Sequence, residues 1–146
     1  MRFDNILCVC TGNICRSPLA EAYLTSRLEG VNVTSAGTHA LVGHGADETA
    51  QLVGHSNGLS LDGHEARQLT LELARGQDLI LVMERGHLDW VATTIPAVRG
   101  RTFLASQWRD RADVDDPYRR SREYFETIFS RLTLCLDDWV TKVQSA

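Results

Sequence analysis

The chain has 146 residues, of which 43% are hydrophobic and 23% charged, and carries a formal net charge of −4. That size suits one compact domain spanning residues 1–146 with a core of its own. The acidic balance lacks the electrostatic footprint of a nucleic-acid binder, and no apolar run approaches the ~20 residues of a membrane span, so neither nucleic acid nor a bilayer is an expected partner.

The N-terminal residues run directly into an apolar segment, Asn5 to Val9, which argues against a removable leader and for a cytoplasmic address. This segment is too short for a helix and is followed by Gly12 and Asn13, so it reads as a buried strand entering a tight loop. Ser17 and Pro18 give a helix start, with Ser as cap, and Ala20, Tyr23, Leu24 and Leu28 recur at helical spacing until Gly30. Val31, Val33 and Ser35 alternate with polar residues, as in a second strand. The glycine-rich stretch from Gly43 to Gly63 reads as loop, a helix near Asp47 to Val53, and a turn at Asn57-Gly58. Leu79 to Met83 is continuously apolar, as a central parallel strand covered on both faces requires. Arg101 to Leu104 predicts a shorter fourth strand, and the polar segment after it a loop reaching Asp116-Pro117-Tyr118. Ser121 caps a last helix, whose apolar stripe is Tyr124, Ile128, Leu132, Cys135, Trp139 and Val143. Strand, helix and strand in this order imply right-handed crossovers. The expected fold is α/β: a four-stranded parallel sheet flanked by helices on both faces, with an anion-binding loop between strand 1 and helix 1.

Four cysteines are too few for a disulfide framework, and Cys8, Cys10 and Cys15 crowd together near the start. A metal site is disfavoured because Arg16 puts a fixed positive charge into the cluster. The run Cys10-Thr11-Gly12-Asn13-Ile14-Cys15-Arg16-Ser17-Pro18 suits an anion instead. Its amides converge at a helix N-terminus, and Gly12 and Asn13 tolerate the left-handed angles that turn consecutive N–H groups inward. Thr11, Gly12, Asn13, Ile14 and Cys15 can then wrap a phosphate whose oxygens Arg16 holds with its planar fork. A thiol at Cys10, under the helix N-terminus and near Arg16, sits where the thiolate is favoured.

This nine-residue run resembles the signature loop of the low-molecular-weight protein tyrosine phosphatases. Ser35-Ala36-Gly37, His64-Glu65-Ala66-Arg67-Gln68, Asp78 to Glu84 and Asp116-Pro117-Tyr118 resemble further landmarks of that family, in family order. The resemblance implies that Cys10 is the nucleophile of a phosphocysteine mechanism, Arg16 the phosphate clamp and Asp116 the general acid. Among Asp110, Asp113, Asp115 and Asp116 the residues alone do not choose; the Asp-Pro-Tyr match does, with Asp115 as runner-up. The resemblance further implies that Ser17 donates a hydroxyl hydrogen bond to Cys10, that His64 supports the loop from behind, and that Cys15 pairs reversibly with an oxidised Cys10. No cofactor is implied.

Cys8 reads as a small core residue, and His39, His44, His55 and His87 as ordinary loop or surface residues. Tyr118 is expected as an aromatic wall for the substrate ring. Leu41, with Ala40 as alternative, stands where relatives often place a second aromatic, and Ile14 is expected to line the pocket. The Ala40-Leu41-Val42-Gly43 stretch and Asp116 to Arg122 resemble the bacterial branch associated with capsule and exopolysaccharide export. That branch implies a monomer acting on a phosphotyrosine protein, a bacterial tyrosine autokinase, whose acidic tail Arg119, Arg120 and Arg122 would attract. Two rivals are a thiol-dependent arsenate reductase of the same fold and a silent phosphotyrosine-binding module. The first needs relay cysteines, but none lies between Cys15 and Cys135; the second needs neither a thiol nor an acid.

Overall fold

The computed structural model describes residues 2–146. Strands β1 (Asn5–Cys10), β2 (Asn32–Gly37), β3 (Leu79–Val82) and β4 (Thr102–Leu104) form one sheet in the order β2-β1-β3-β4, and every pairing is parallel. Side chains alternate across it. Ile6, Cys8 and Cys10 of β1 and Leu79 and Leu81 of β3 join one buried cluster, whereas Leu7, Val9, Ile80 and Val82 join another on the opposite face. Both faces are therefore covered, which explains the unbroken apolar runs of the two central strands.

Helices α1 (Arg16–Arg27), α2 (Glu48–Ser56) and α5 (Arg122–Gln144) cover the first face, and α3 (Leu71–Arg75) and α4 (Arg85–Thr94) the second. The α5 stripe packs as its spacing predicts, with Phe125, Ile128, Leu132, Cys135, Leu136 and Trp139 buried. Ser121 caps α5 by accepting the Tyr124 N–H at 3.1 Å. No helix among the described residues is long and apolar enough to cross a membrane.

Some boundaries differ from the sequence reading. Helix α1 begins two residues earlier than the Ser-Pro signal suggests, with Cys15 as its N-cap, and Leu28 has already turned extended before Gly30. Ser17 is thus inside the first turn and caps nothing; its hydroxyl is engaged elsewhere. Strand β2 runs on to Gly37 because pairing with β1 continues to Cys10. Helices α3 and α4 have no counterpart in the sequence-based expectations: α3 has only 5 residues, and α4 contains Gly86, which mimics a turn.

The chain leaves β1 for β2 on one side of the sheet and returns to β3 on the other. Loops after β1 and β3 therefore diverge, and a crevice opens at the carboxyl end of β1. The loop from Thr11 to Cys15 lies in it.

Candidate active site

The loop is shaped by what receives its carbonyls. Those of Cys10, Thr11 and Gly12 accept the N–H groups of Thr38, His39 and Leu41 at 3.0, 3.0 and 3.1 Å. The Asn13 carbonyl accepts from His64 Nε2 at 2.7 Å, and that of Ile14 from the Asp47 N–H at 2.8 Å. In a trans peptide each C=O points opposite to the next residue's N–H. Carbonyls turned out to the surrounding protein therefore turn the following N–H groups in, and those from Thr11 to Cys15 find no acceptor among the described residues. With the N-terminus of α1 beside them, they form a concave ring of donors.

Only Asn13 uses a left-handed backbone, at φ 58°; Gly12 does not. A Cβ on Gly12 would instead meet Ile14 and Leu41 at 3.6 and 3.8 Å, so the missing side chain keeps the hollow open. Asn13 is fully buried and holds the loop's shape. Its amide nitrogen donates to the hydroxyls of Ser17 at 2.8 Å and Ser35 at 3.0 Å, and its oxygen accepts the Arg67 N–H at 3.0 Å.

Ser17 Oγ lies 2.9 Å from Cys10 Sγ. Because Ser17 already accepts from Asn13, its own hydroxyl proton is free to go to the sulfur. Cys8, Cys10, Cys15 and Cys135 are free and buried. Burial pushes the thiol pKa values of Cys8, Cys15 and Cys135 up.

Arg16, only 2% exposed, spans the opening. Its Nη1 donates to Glu84 Oε2 and, at 2.7 Å, to the Val114 carbonyl; Nη2 is 3.7 Å from Asp116 Oδ2. Nε is buried without a partner. Burial alone would lower its pKa, but Cys10, Glu84 and Asp116 outweigh that and raise it. The guanidinium is therefore held charged, with one donor edge occupied and Nε free.

Cys10, Thr11, Gly12, Ile14, Cys15 and Arg16 line a cavity of about 190 Å³, closed by His39, Leu41, Asp116 and Tyr118. Asp116 is half exposed at the rim, and its Oδ1 accepts the Tyr118 N–H at 3.0 Å, a turn that fixes the Asp116 carboxylate against the Tyr118 backbone. Leu41 and Tyr118 face the same hollow, each partly exposed. Asp110 and Asp113 are engaged elsewhere: Asp110 is held by Arg131, and Asp113 accepts the Arg85 N–H. The Arg119 guanidinium stacks over Tyr118 and that of Arg120 over Tyr124, while Arg122 bonds Glu126 and Ser56. No group of three or more His, Cys, Asp or Glu side chains among the described residues could hold a metal ion.

Two histidines depart from the sequence reading. His87, read there as an ordinary loop or surface residue, is 5% exposed and hydrogen-bonds Thr11. His39 lines the cavity, its ring edge-on to Trp90 with centroids 6.1 Å apart. Glu84, the partner of Arg16, ends the Asp78 to Glu84 landmark but carries no role in the sequence reading. Its place just past the Leu79 to Met83 strand is the local signal for such a role, because loops there carry functional groups in parallel sheets.

A sequence model described as low molecular weight phosphotyrosine protein phosphatase matches residues 5–146. The chain is 48% identical to the low molecular weight protein-tyrosine-phosphatase Etp of Escherichia coli K12 over 143 residues, 98% of this chain and 97% of that one. Its fold is similar to the tyrosine phosphatase Wzb of Escherichia coli K30 in complex with sulphate, at TM-score 0.94 and 45% identity, covering 97% and 99% of the two chains. It is also similar to the YwlE arginine phosphatase of Geobacillus stearothermophilus, at TM-score 0.91 and 33% identity, covering 97% and 93%. The chain belongs to the low molecular weight phosphotyrosine protein phosphatases.

Proposed function

We propose that the chain hydrolyses phosphotyrosine in proteins through a phosphocysteine intermediate. The observation that carries this reading is the ring of inward N–H groups over Cys10, closed by the free Nε of buried Arg16. Such a ring matches a tetrahedral dianion, and it strengthens as negative charge spreads over the equatorial oxygens during transfer. The Cys10 thiolate, hydrogen-bonded by Ser17, attacks phosphorus as the bond to the tyrosyl oxygen breaks, and Asp116 delivers a proton to that oxygen. In the second half, Asp116 takes a proton from water as the water oxygen attacks phosphorus and the S–P bond breaks, restoring the thiolate. His64 supports the loop through the Asn13 carbonyl. Cys15, buried at the end of the same loop, is the partner for an oxidised Cys10.

Ile14, Leu41 and Tyr118 offer apolar contact to a flat ring, which favours a phosphotyrosyl over a phosphoarginyl side chain, whose guanidinium would lose its hydration there. The natural substrate of this reading is a bacterial tyrosine autokinase of exopolysaccharide export, met by a monomer in the cytoplasm. Arg119 and Arg120, which pair with no carboxylate among the described residues, would attract its acidic tail. The test is phosphate release from p-nitrophenyl phosphate, a phosphotyrosyl peptide and a phosphoarginyl peptide, for wild type, Cys10→Ser and Asp116→Ala. Release from the phosphotyrosyl peptide, abolished in Cys10→Ser and strongly reduced in Asp116→Ala, is expected. A wild type that binds phosphotyrosine without turnover would make it a binding module, and preferential release from phosphoarginine would reassign the substrate.

A further inference from the structure

His87 touches the loop but has no part in the chemistry above. Its Nδ1 lies 3.1 Å from the Glu84 backbone nitrogen, a group that can only donate, so Nδ1 must present a lone pair. The neutral ring then carries its hydrogen on Nε2, which donates to the Thr11 hydroxyl oxygen at 2.9 Å. Glu84, the N-cap of the same helix α4, holds Arg16. One helical turn thus grips the loop at both ends, at Thr11, its first residue, and at Arg16, the helix residue that follows its last.

We propose that His87 is a positioning residue of the anion loop: as the neutral Nε2–H tautomer it fixes Thr11 while Glu84 fixes Arg16, so that the first turn of α4 sets the loop's opening. Burial and the Arg16 charge outweigh Glu84, Asp113 and Asp116 around the ring and bring its pKa down to about 4, so the required tautomer persists at neutral pH. Thr11, having accepted from His87, keeps its own proton for a second acceptor. The link is not local: His87 lies 76 positions after Thr11 in the chain.

The inference rests on the reading of this loop as an anion site, so its test uses inorganic phosphate binding as well as turnover. Nitrogen-15 spectra of the histidine-labelled full chain at pH 7 should contain a ring protonated at Nε2 alone whose signals vanish in His87→Asn. Calorimetry should find phosphate bound about three- to tenfold more weakly by His87→Asn and by Thr11→Val, the size of one buried neutral hydrogen bond. Their double variant should be no weaker than the weaker single one. His87→Gln, which can donate an amide hydrogen toward Thr11, should recover part of the loss. An imidazolium or an Nδ1–H tautomer, losses that simply add, or wild-type phosphate affinity in both single variants would overturn the proposal. Coupled losses in phosphate affinity in a chain that turns over no phosphotyrosine would uphold the clamp and remove only the phosphatase reading.

Discussion

Gly37 of β2 lies against the backbone of Thr11: a Cβ there would overlap the Thr11 carbonyl oxygen and approach the Asn13 nitrogen at 3.1 Å and the Ala40 Cα at 3.2 Å. All three neighbours are backbone, so none can swing aside. Gly37→Ala should therefore destabilise the fold by about 1–3 kcal/mol, the range of an overpacked core, and displace the donor ring. Urea melts and phosphate affinity would both register the change. An alanine variant with wild-type midpoint and affinity would mean that the strand and loop separate freely.

Glu84 compensates a buried cation. Removing one partner of a buried pair leaves an unpaired charge and typically costs about 3–5 kcal/mol, although Glu84 is itself partly exposed and Arg16 keeps the Val114 carbonyl and Asp116. Glu84→Ala should fall at or below the low end of that range and lower kcat by about tenfold as the guanidinium loses its aim. Glu84→Gln keeps an acceptor and should lose less of both. Equal losses in the two variants would show that charge alone matters.

The proposed role of Asp116 depends on the leaving group. Phenolate of tyrosine leaves poorly without a proton, whereas p-nitrophenolate leaves without much help. Asp116→Ala should therefore lose roughly 10²–10⁴-fold in kcat on a phosphotyrosyl peptide and distinctly less on p-nitrophenyl phosphate. Equal losses on the two substrates would assign Asp116 to holding Arg16 rather than to proton transfer.

His87 makes stability depend on pH. Its folded-state pKa of about 4 lies below the ordinary 6.5, so between these values the unfolded chain binds more protons than the folded one. Stability from this group is fully present above about pH 6.5 and is lost as pH falls toward 4, with a full amplitude of about 3 kcal/mol. Between pH 6.5 and 5, where carboxylates contribute little, His87→Asn should have a visibly flatter dependence of unfolding free energy on pH. Parallel wild-type and variant curves in that window would contradict the buried neutral ring.

What lay in contiguous residues was legible before any fold was known. The apolar runs of β1 and β3 identify central strands because burial on both faces demands them. Cys10, Arg16 and the loop between them are recognisable because strand, loop and helix follow one another in the chain. The α5 stripe and its Ser121 cap are local in the same sense.

Tertiary structure decided what distant segments do to one another. Ser17 looked like a helix cap because the Ser-Pro signal is local; it caps nothing, and beside the Cys10 contact that the family resemblance implied, its hydroxyl takes the buried Asn13 amide, which no local signal announced. His87 looked like an ordinary loop or surface residue because nothing in its own neighbourhood says that Thr11, on a different strand's loop, packs over it. Gly37, Glu84 and Val114 matter through contacts across the sheet's carboxyl edge, from β2, β3 and the segment before α5. Hydrophobic period and turn chemistry act over a few residues and can be read in order. The hydrogen bonds that turn a loop's carbonyls outward come from residues up to 51 positions away, and only the packed sheet brings them there.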